Sequence, residues 1–396
     1  MVLLLNCYRM RIALVSIDSR QNERTYHETM PRFGTGVDSM IEGVASMPEV
    51  ELHLLSCTQK PMQSPDKLAD NIWFYSLHVP KLGWMRTFYQ GCVRATRRKL
   101  REIQPDIVQG VGTEREGAIS AVFSGFPNVV AIAGNMAELA RLNRARIGSF
   151  GWLAARLENF ILPRTDGVIC NSLYTEGLVR PRARKTWLIY PGLRGLFLQP
   201  PTHSGPREGA LVIAGVISPR KRQLELLDVA EALHRRGLKF EFRFVGHISN
   251  PNEPYAAAFL ERIKPMATAG YARYLGTPSH QGMVQCFDAA SGMIHFPTEE
   301  AFGSVVAEGF ARDLKFFGTQ AGGIKEIANG APGAELFGKD DWAGLTDAIA
   351  GWIKEGHPSP AGAATIMGQR YHPKIYTQQH LEVYREVINT RPAMAH

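Results

Sequence analysis

Along the whole chain, short apolar runs rich in β-branched residues alternate with longer stretches in which apolar positions recur every three or four residues. That alternation is the pattern of parallel sheets built from βαβ units. In the first half it predicts strands at Ile12–Ile17, Glu51–Leu55, Ile107–Gln109, Val129–Ala133 and Gly167–Asn171, with helices at Val37–Ser46, Met85–Leu100 and Trp152–Ile161. The segment 198–209 concentrates Pro, Gly and polar residues, breaks the alternation and reads as a linker. The pattern then restarts with Leu211–Ala214, Phe240–Val245, Gly292–Phe296 and Leu314–Phe317, each followed by a helical stretch. A last helix, about Ile375–Ile388, follows Pro373, which favours a fresh helix start. The fold class expected is α/β: two doubly wound Rossmann-like parallel-sheet domains, 1–197 and 210–374, facing across a cleft at the carboxyl ends of their strands. The C-terminal helix, 375–396, is expected to pack back on the first domain.

Length agrees, because 396 residues exceed what one hydrophobic core normally serves. The five cysteines are odd in number, far apart and never form a Cys-x-x-Cys pair, so a reducing cytoplasm fits better than a disulfide or zinc framework. No run approaches the ~20 apolar residues of a membrane span, and residues 1–9 read as an upstream extension ahead of the first strand. Charge is unevenly placed: the entire formal excess of +8 lies in residues 1–200, while 201–396 are neutral. A basic half beside a neutral one points to an anionic partner for the first domain, such as a lipid surface or a phosphorylated acceptor.

The segment Phe296 to Ala311 carries the most chemistry. A buried strand ends at Phe296, a loop carries Glu300 and Phe302, and Gly303 allows close backbone approach where a helix begins. Amide groups at Gly303, Ser304 and Val305 then form an anion site suited to a diphosphate. Glu308 lies one to two turns into that helix, so Glu300 and Glu308 are placed to accept hydrogen bonds from sugar and ribose hydroxyls. Arg220, Lys221 and Arg222 crowd another expected helix start, where cations oppose the dipole unless an anion sits among them.

Glu300 and Glu308, separated by seven residues that include Phe302-Gly303, resemble the Glu-x7-Glu motif of retaining glycosyltransferase family 4. Downstream, Thr319 to Ile327 resembles the family's Gly-Gly loop at Gly322-Gly323; upstream, Gly215-Val216-Ile217-Ser218-Pro219-Arg220-Lys221 resembles its Gly-Arg-x-x-Pro-x-Lys segment, which meets the diphosphate. Gly34-Thr35-Gly36-Val37-Asp38-Ser39 resembles its first glycine loop; a nicotinamide site is disfavoured because the third glycine is Ser39 and the loop lies far beyond the first strand. The resemblance implies the GT-B fold and a hexosyltransferase-like reaction that moves a sugar, with retention, from a nucleotide-diphosphate sugar to a glycan or lipid-linked acceptor, as in polysaccharide biosynthesis. Glu300 would orient the sugar, Glu308 the ribose, and Arg220, Lys221 and the amides near Gly303 would stabilise the leaving diphosphate. No cofactor or metal is expected: the sequence holds no Asp-x-Asp, and Asp340-Asp341 reads as a helix cap. A nucleotide-sugar epimerase on the same fold, or a donor-binding protein without transferase activity, stays open.

The chain departs from the family pattern at Val216, where an arginine is usual, at Gln109 and Ala133, where histidines are usual at strand ends, and at Pro191, where an Asn-Gly pair is usual. Glu114 and Asn135 are the nearest polar residues that could face the sugar in place of those histidines. Finally, Arg86–Arg101 reads either as a core helix with a solvated basic side or as a membrane-surface helix bringing the protein to the inner face of the membrane. Arg141, Arg144, Arg146, Arg180, Arg182, Arg184 and Lys185 would extend that patch. No nucleic-acid motif accompanies the charge, so nucleic acid is not expected as a partner.

Overall fold

A computed structural model describes residues 9–201 and 208–390. The expected extension, apart from Arg9, the middle of the linker (202–207) and the last residues of the C-terminal helix (391–396) lie outside the described residues. Contacts divide the chain into two compact units: one runs to Arg194 and takes up the stretch from Pro373, the other is Gly195–His372.

The N-terminal unit holds β1 (Met10–Val15), β2 (Val50–Thr58), β3 (Lys67–Ala69), β4 (Ile72–His78), β5 (Ile107–Val111), β6 (Asn128–Ala131), β7 (Gly167–Cys170) and β8 (Thr186–Leu188). They form one sheet in the order β3-β4-β2-β1-β5-β6-β7-β8, parallel except for β3 against β4. Strand residues alternate between two buried layers, as the pleat requires. Ile12, Leu14, Leu52 and Leu54 face Val37, Met40 and Val44 of the helix Thr35–Ala45 and Tyr384 and Val387 of the C-terminal helix. Ala13, Val15 and Leu55 face Leu100 and Ala121. Coverage of both faces explains why these strands read as near-continuous apolar runs. The C-terminal helix, Pro373–Thr390, belongs to this unit, with Thr377 against Gly43 and Glu386 accepting from Trp187 Nε1 at 2.9 Å.

The C-terminal unit holds β9 (Glu208–Ala214), β10 (Glu241–Val245), β11 (Ala272–Tyr274), β12 (Ala290–His295), β13 (Lys315–Thr319) and β14 (Ala334–Phe337). Its sheet is wholly parallel, in the order β11-β10-β9-β12-β13-β14. This is the doubly wound order whose direction of winding reverses between β9 and β12, the place where open α/β sheets bind ligands. Leu211, Ile213, Phe242, Phe244 and Ile294 pack with Leu226, Ala230 and Phe259 in its core, each of the leucine, isoleucine and phenylalanine side chains contributing about 1.5–3 kcal/mol by burial.

The predicted strands are all present, with ends displaced by up to three residues, but the short edge strands β3, β8, β11 and β14 and the seven-residue β4 were not predicted. The helix expected over Met85–Leu100 is corrected. Short 3-10 turns occupy Lys81–Gly83 and Met85–Thr87, and Phe88 and Tyr89 adopt left-handed conformations at φ 49° and 59°. The α-helix runs only from Gln90 to Ile103. The reason is packing: Trp84 and Tyr89 both turn into the core, edge to face at 6.3 Å, while Gly83 and Gly91 touch backbone to backbone. Among the described residues no helix is long and apolar enough to cross a membrane. Cys57, Cys92 and Cys170 are buried and Cys286 half-buried, all four as free thiols.

Candidate functional site

In the C-terminal unit, two backbone crossings prepare the site. Strand β9 ends in Gly215 at φ 146° and β10 in Gly246 at φ 150°. A Cβ on Gly246 would fall 2.0 Å from Gly215 O, so only glycine permits the two strand ends to meet this closely. From Gly215 the chain passes Val216, 46 % exposed, to a 3-10 turn at Pro219–Lys221. Gln223 clamps this turn, accepting from Ser218 N at 3.2 Å and donating to Val216 O at 3.0 Å.

The turn meets the loop that follows β12. Thr298 N donates to Arg220 O at 2.9 Å, and Arg220 Nη1 donates to Glu299 O at 2.9 Å. Lys221 Nζ donates to Glu300 Oε2, which also lies 2.9 Å from His295 Nε2; Arg220 Nη1 stands 3.9 Å from Glu300 Oε1. Burial opposes the charge of Glu300, yet Lys221, His295 and Arg220 outweigh it and hold the carboxyl far below the usual range. Burial, with Lys221 close by, pushes His295 down to about 4, so its imidazole is neutral near pH 7. A neutral ring with its proton on Nε2 donates to Glu300, leaving Lys221, 3.4 Å from that nitrogen, as a neighbour only. Burial lowers the Lys221 pKa too, although Glu300 works against that.

Beyond Glu300 the loop closes on Gly303, at φ 101°, and the helix Ser304–Phe310. The first amide to bond back is that of Val306, to Gly303 O at 2.8 Å, so the amides of Ser304 and Val305 lie ahead of the helical ladder. Glu308 is buried in this helix. Gly323 holds the loop from the far side, following Gly322 at φ 51°: Gly323 N donates to Glu300 O at 3.1 Å, and a Cβ there would fall 2.8 Å from both Ala301 O and Phe302 Cα.

The structure therefore gathers Arg220, Lys221, Glu300, Gly303 and Gly323 around one loop. Phe302, expected among the ligand-facing residues, is a correction: its ring is buried edge-on against Tyr371 at 5.6 Å, so its side chain serves the core. Arg222 is another. It does not join Arg220 and Lys221 but donates to Lys339 O at 2.6 Å and Asp340 Oδ1 at 2.8 Å and lies over the Trp342 ring. Asp341 caps its helix, accepting from Gly344 N at 2.9 Å. His295 was missed by sequence reasoning; the available signal was a polar residue ending the apolar run Gly-Met-Ile-His-Phe. Among the described residues no group of three or more His, Cys, Asp or Glu is placed to hold a metal ion.

Gly36, Glu114 and Asn135 belong to the N-terminal unit. Gly36 lies in the first turn of Thr35–Ala45, against the Tyr376 hydroxyl, which a Cβ would approach to 3.1 Å. Arg194 locks that loop, donating to Asp38 at 2.7 Å and to Thr35 Oγ1 at 2.9 Å. Glu114 follows β5 and folds its carboxyl over Gly112; burial raises its pKa. Asn135 follows β6 at 1 % exposure, with Nδ2 on Thr175 Oγ1 at 3.2 Å and Oδ1 without a hydrogen-bond partner. Gln109 is not at a strand end: β5 continues to Val111, and Gln109 Oε1 accepts from Tyr384 of the C-terminal helix at 2.6 Å. Sequence reasoning also missed Glu158, a buried carboxylate that accepts from Met136 N, Ala137 N, Thr113 Oγ1 and Arg182.

Comparison with solved structures identifies the fold. The chain superposes on sucrose-phosphate synthase from Thermosynechococcus elongatus with a TM-score of 0.71 at 16 % identity, covering 97 % of this chain and 100 % of that one. On Anabaena HepE, solved in complex with UDP and glucose, the TM-score is 0.66 at 15 % identity over 95 % and 100 % of the two chains. A glycosyltransferase from Rickettsia africae gives 0.65 at 14 % identity over 97 % and 100 %. At this identity the likeness speaks for the fold, which is GT-B, as expected: two Rossmann-like parallel-sheet domains. No protein-family profile matches the chain, and no curated protein does.

Proposed function

We propose that the protein is a glycosyltransferase that moves a sugar, with retention of anomeric configuration, from a nucleoside-diphosphate sugar held by its C-terminal unit to a glycan or lipid-linked acceptor. The observation that carries this reading is the meeting of Lys221 and Arg220 with Glu300 beyond the ends of β9 and β12, where the sheet changes its direction of winding. Anabaena HepE, of the same fold, has been solved with UDP-glucose. In this reading Arg220, Lys221 and the amides of Gly303 to Val305 neutralise the departing diphosphate, which is the main charge the reaction develops. Glu300, ionised and fixed by its two neighbours, accepts hydrogen bonds from a sugar hydroxyl, and Glu308 does the same for the ribose. The arginine that Val216 replaces is made good by Arg220. No metal is needed for this charge balance. The protein acts in the cytoplasm, with its basic N-terminal unit turned to the inner face of the membrane.

The test is a thermal-shift screen of nucleotide-sugars, followed by NMR of the product anomer. A ligand at 100 times its dissociation constant stabilises by about 2.7 kcal/mol, an ample signal. No stabilisation by any nucleoside diphosphate or its sugars would refute the reading, and an inverted product would refute the retaining mechanism.

A further inference from the structure

Apart from the loops proposed to hold the donor, the N-terminal unit carries a groove of its own. It measures about 420 Å³ and is lined by His78, Leu82, Thr87, Gln90, Arg94 and Arg98 among others, between the loop after β4 and the helix Gln90–Ile103. Three observations bear on what it holds. The loop is fixed: Trp84 Nε1 donates to Val79 O at 2.9 Å, Thr87 Oγ1 donates to Leu82 O and Trp84 O at 3.0 Å, and Gly83 abuts Gly91. Leu82 and Phe88 are nevertheless exposed, at 73 % and 60 %. Arg94, Arg97, Arg98 and Arg101 fall on one helix face at i, i+3, i+4 and i+7 and have no hydrogen bond or ion pair from their side chains among the described residues. Several other surface arginines are neutralised, Arg141 by Glu138, Arg180 by Glu176, Arg236 by Asp347 and Arg262 by Asp228, whereas the exposed Arg144, Arg146 and Arg184 have no such pair among the described residues. Of the patch expected to extend through Arg141, Arg144, Arg146, Arg180, Arg182, Arg184 and Lys185, Arg141, Arg180, Arg182 and Lys185 are corrected, since all four are paired, the last two with Glu158 and Glu386. A row of four unneutralised arginines therefore stands on the helix beside the apolar loop.

We propose that this groove seats the phosphate headgroup of an anionic bilayer phospholipid, with Arg94 and Arg98 on the phosphate and Leu82 entering the acyl region. Charge complementarity selects the anion, and a fixed aliphatic side chain beside it selects a bilayer over a soluble polyanion. The inference deepens the membrane contact proposed above and is independent of the donor site.

The experiment is flotation of the full chain with vesicles of phosphatidylglycerol in phosphatidylcholine, against phosphatidylcholine alone. Wild type floats only with the anionic vesicles, and 1 M salt, which shortens the Debye length to about 3 Å, releases it. Arg94→Gln with Arg98→Gln lowers partition about fivefold per cation, roughly 25- to 30-fold together. Leu82→Ser alone lowers it about tenfold or more. Both variants keep the wild-type melting temperature, because the replaced side chains are exposed. Arg144→Gln with Arg146→Gln serves as the control and floats normally. If the control loses flotation while the groove variants keep it, the groove is wrong and the membrane contact lies elsewhere. If wild type does not float, both fail. Equal flotation with phosphatidylcholine, or arginine-dependent binding of single-stranded RNA without vesicle binding, also overturns the proposal.

Discussion

Lys221 Nζ and His295 Nε2 meet on a single oxygen of Glu300, so the carboxylate is held ionised by a buried cation on one side and a neutral donor on the other. The same oxygen thus fixes where Lys221 can reach and how Glu300 can turn. Removing either partner has a different expected consequence.

Lys221→Ala should weaken binding of the free nucleoside diphosphate and of the nucleotide-sugar alike. Loss of a charge-assisted hydrogen bond costs about 1.5–3 kcal/mol, or roughly ten- to a hundredfold in affinity. Titration calorimetry with the nucleoside diphosphate and nucleotide-sugar that stabilise the protein in the thermal-shift screen provides the measurement, and an unchanged affinity for either would show that Lys221 serves only to neutralise Glu300.

Glu300→Gln should lower turnover by roughly a hundredfold or more while leaving nucleoside-diphosphate affinity within a few-fold, because its proposed partner is the sugar. The two effects are separable by measuring kcat and nucleoside-diphosphate binding on one preparation. A large loss of nucleoside-diphosphate binding would move Glu300 to the phosphate side of the site.

Transfer should survive EDTA, since Arg220, Lys221 and backbone amides are proposed to carry the charge of the leaving group. If chelation abolishes activity and magnesium or manganese restores it, a metal shares that task.

Arg222→Ala should lower the melting temperature and leave nucleotide affinity unchanged, in contrast to its neighbour Lys221. Its guanidinium ties the turn to Lys339 and Asp340 and covers Trp342. A loss of affinity matching that of Lys221→Ala would return Arg222 to the anion site.

Stability should fall on acidification below about pH 6.5. Burial pushes His53, His295 and His380 each down to about 4, against 6.5 unperturbed. Between those values the unfolded chain binds protons that the folded chain refuses, so stability drops as pH falls through that window. Glu300, whose folded pKa is lowered, adds a further loss below its unfolded value, 4.5. A melting temperature that stays flat from pH 6.5 to 4 would contradict the buried, neutral state of these histidines.

The alternation of apolar runs and amphipathic stretches carried the doubly wound architecture, because strands covered on both faces leave little room for polar residues. Glu300 was legible through its place beside Gly303, and Lys221 through the crowding of cations at an expected helix start. His295 was not, since one polar residue at a strand end looks like any solvated end. Glu158 was equally hidden: it sits on an amphipathic helix, where a carboxylate normally faces water, and only the fold turns it inward to the amides of Met136 and Ala137. The break at Phe88 and Tyr89 had no glycine or proline to announce it. There tertiary packing of Trp84 and Tyr89 overrides local preference, and the short strands at sheet edges escaped because three or four residues carry too little period to read.

The amide of Gly323 that supports Glu300 has a consequence for how this protein would look to a selection experiment. A library of random variants scored by activity alone would find position 323 as intolerant as position 300, since any side chain there strikes the backbone at Ala301 and Phe302. Ranked by such scores, a residue with no functional group would pass for a ligand contact. Only a second score for folded protein would separate the residue that performs chemistry from the empty space that lets it stand in place.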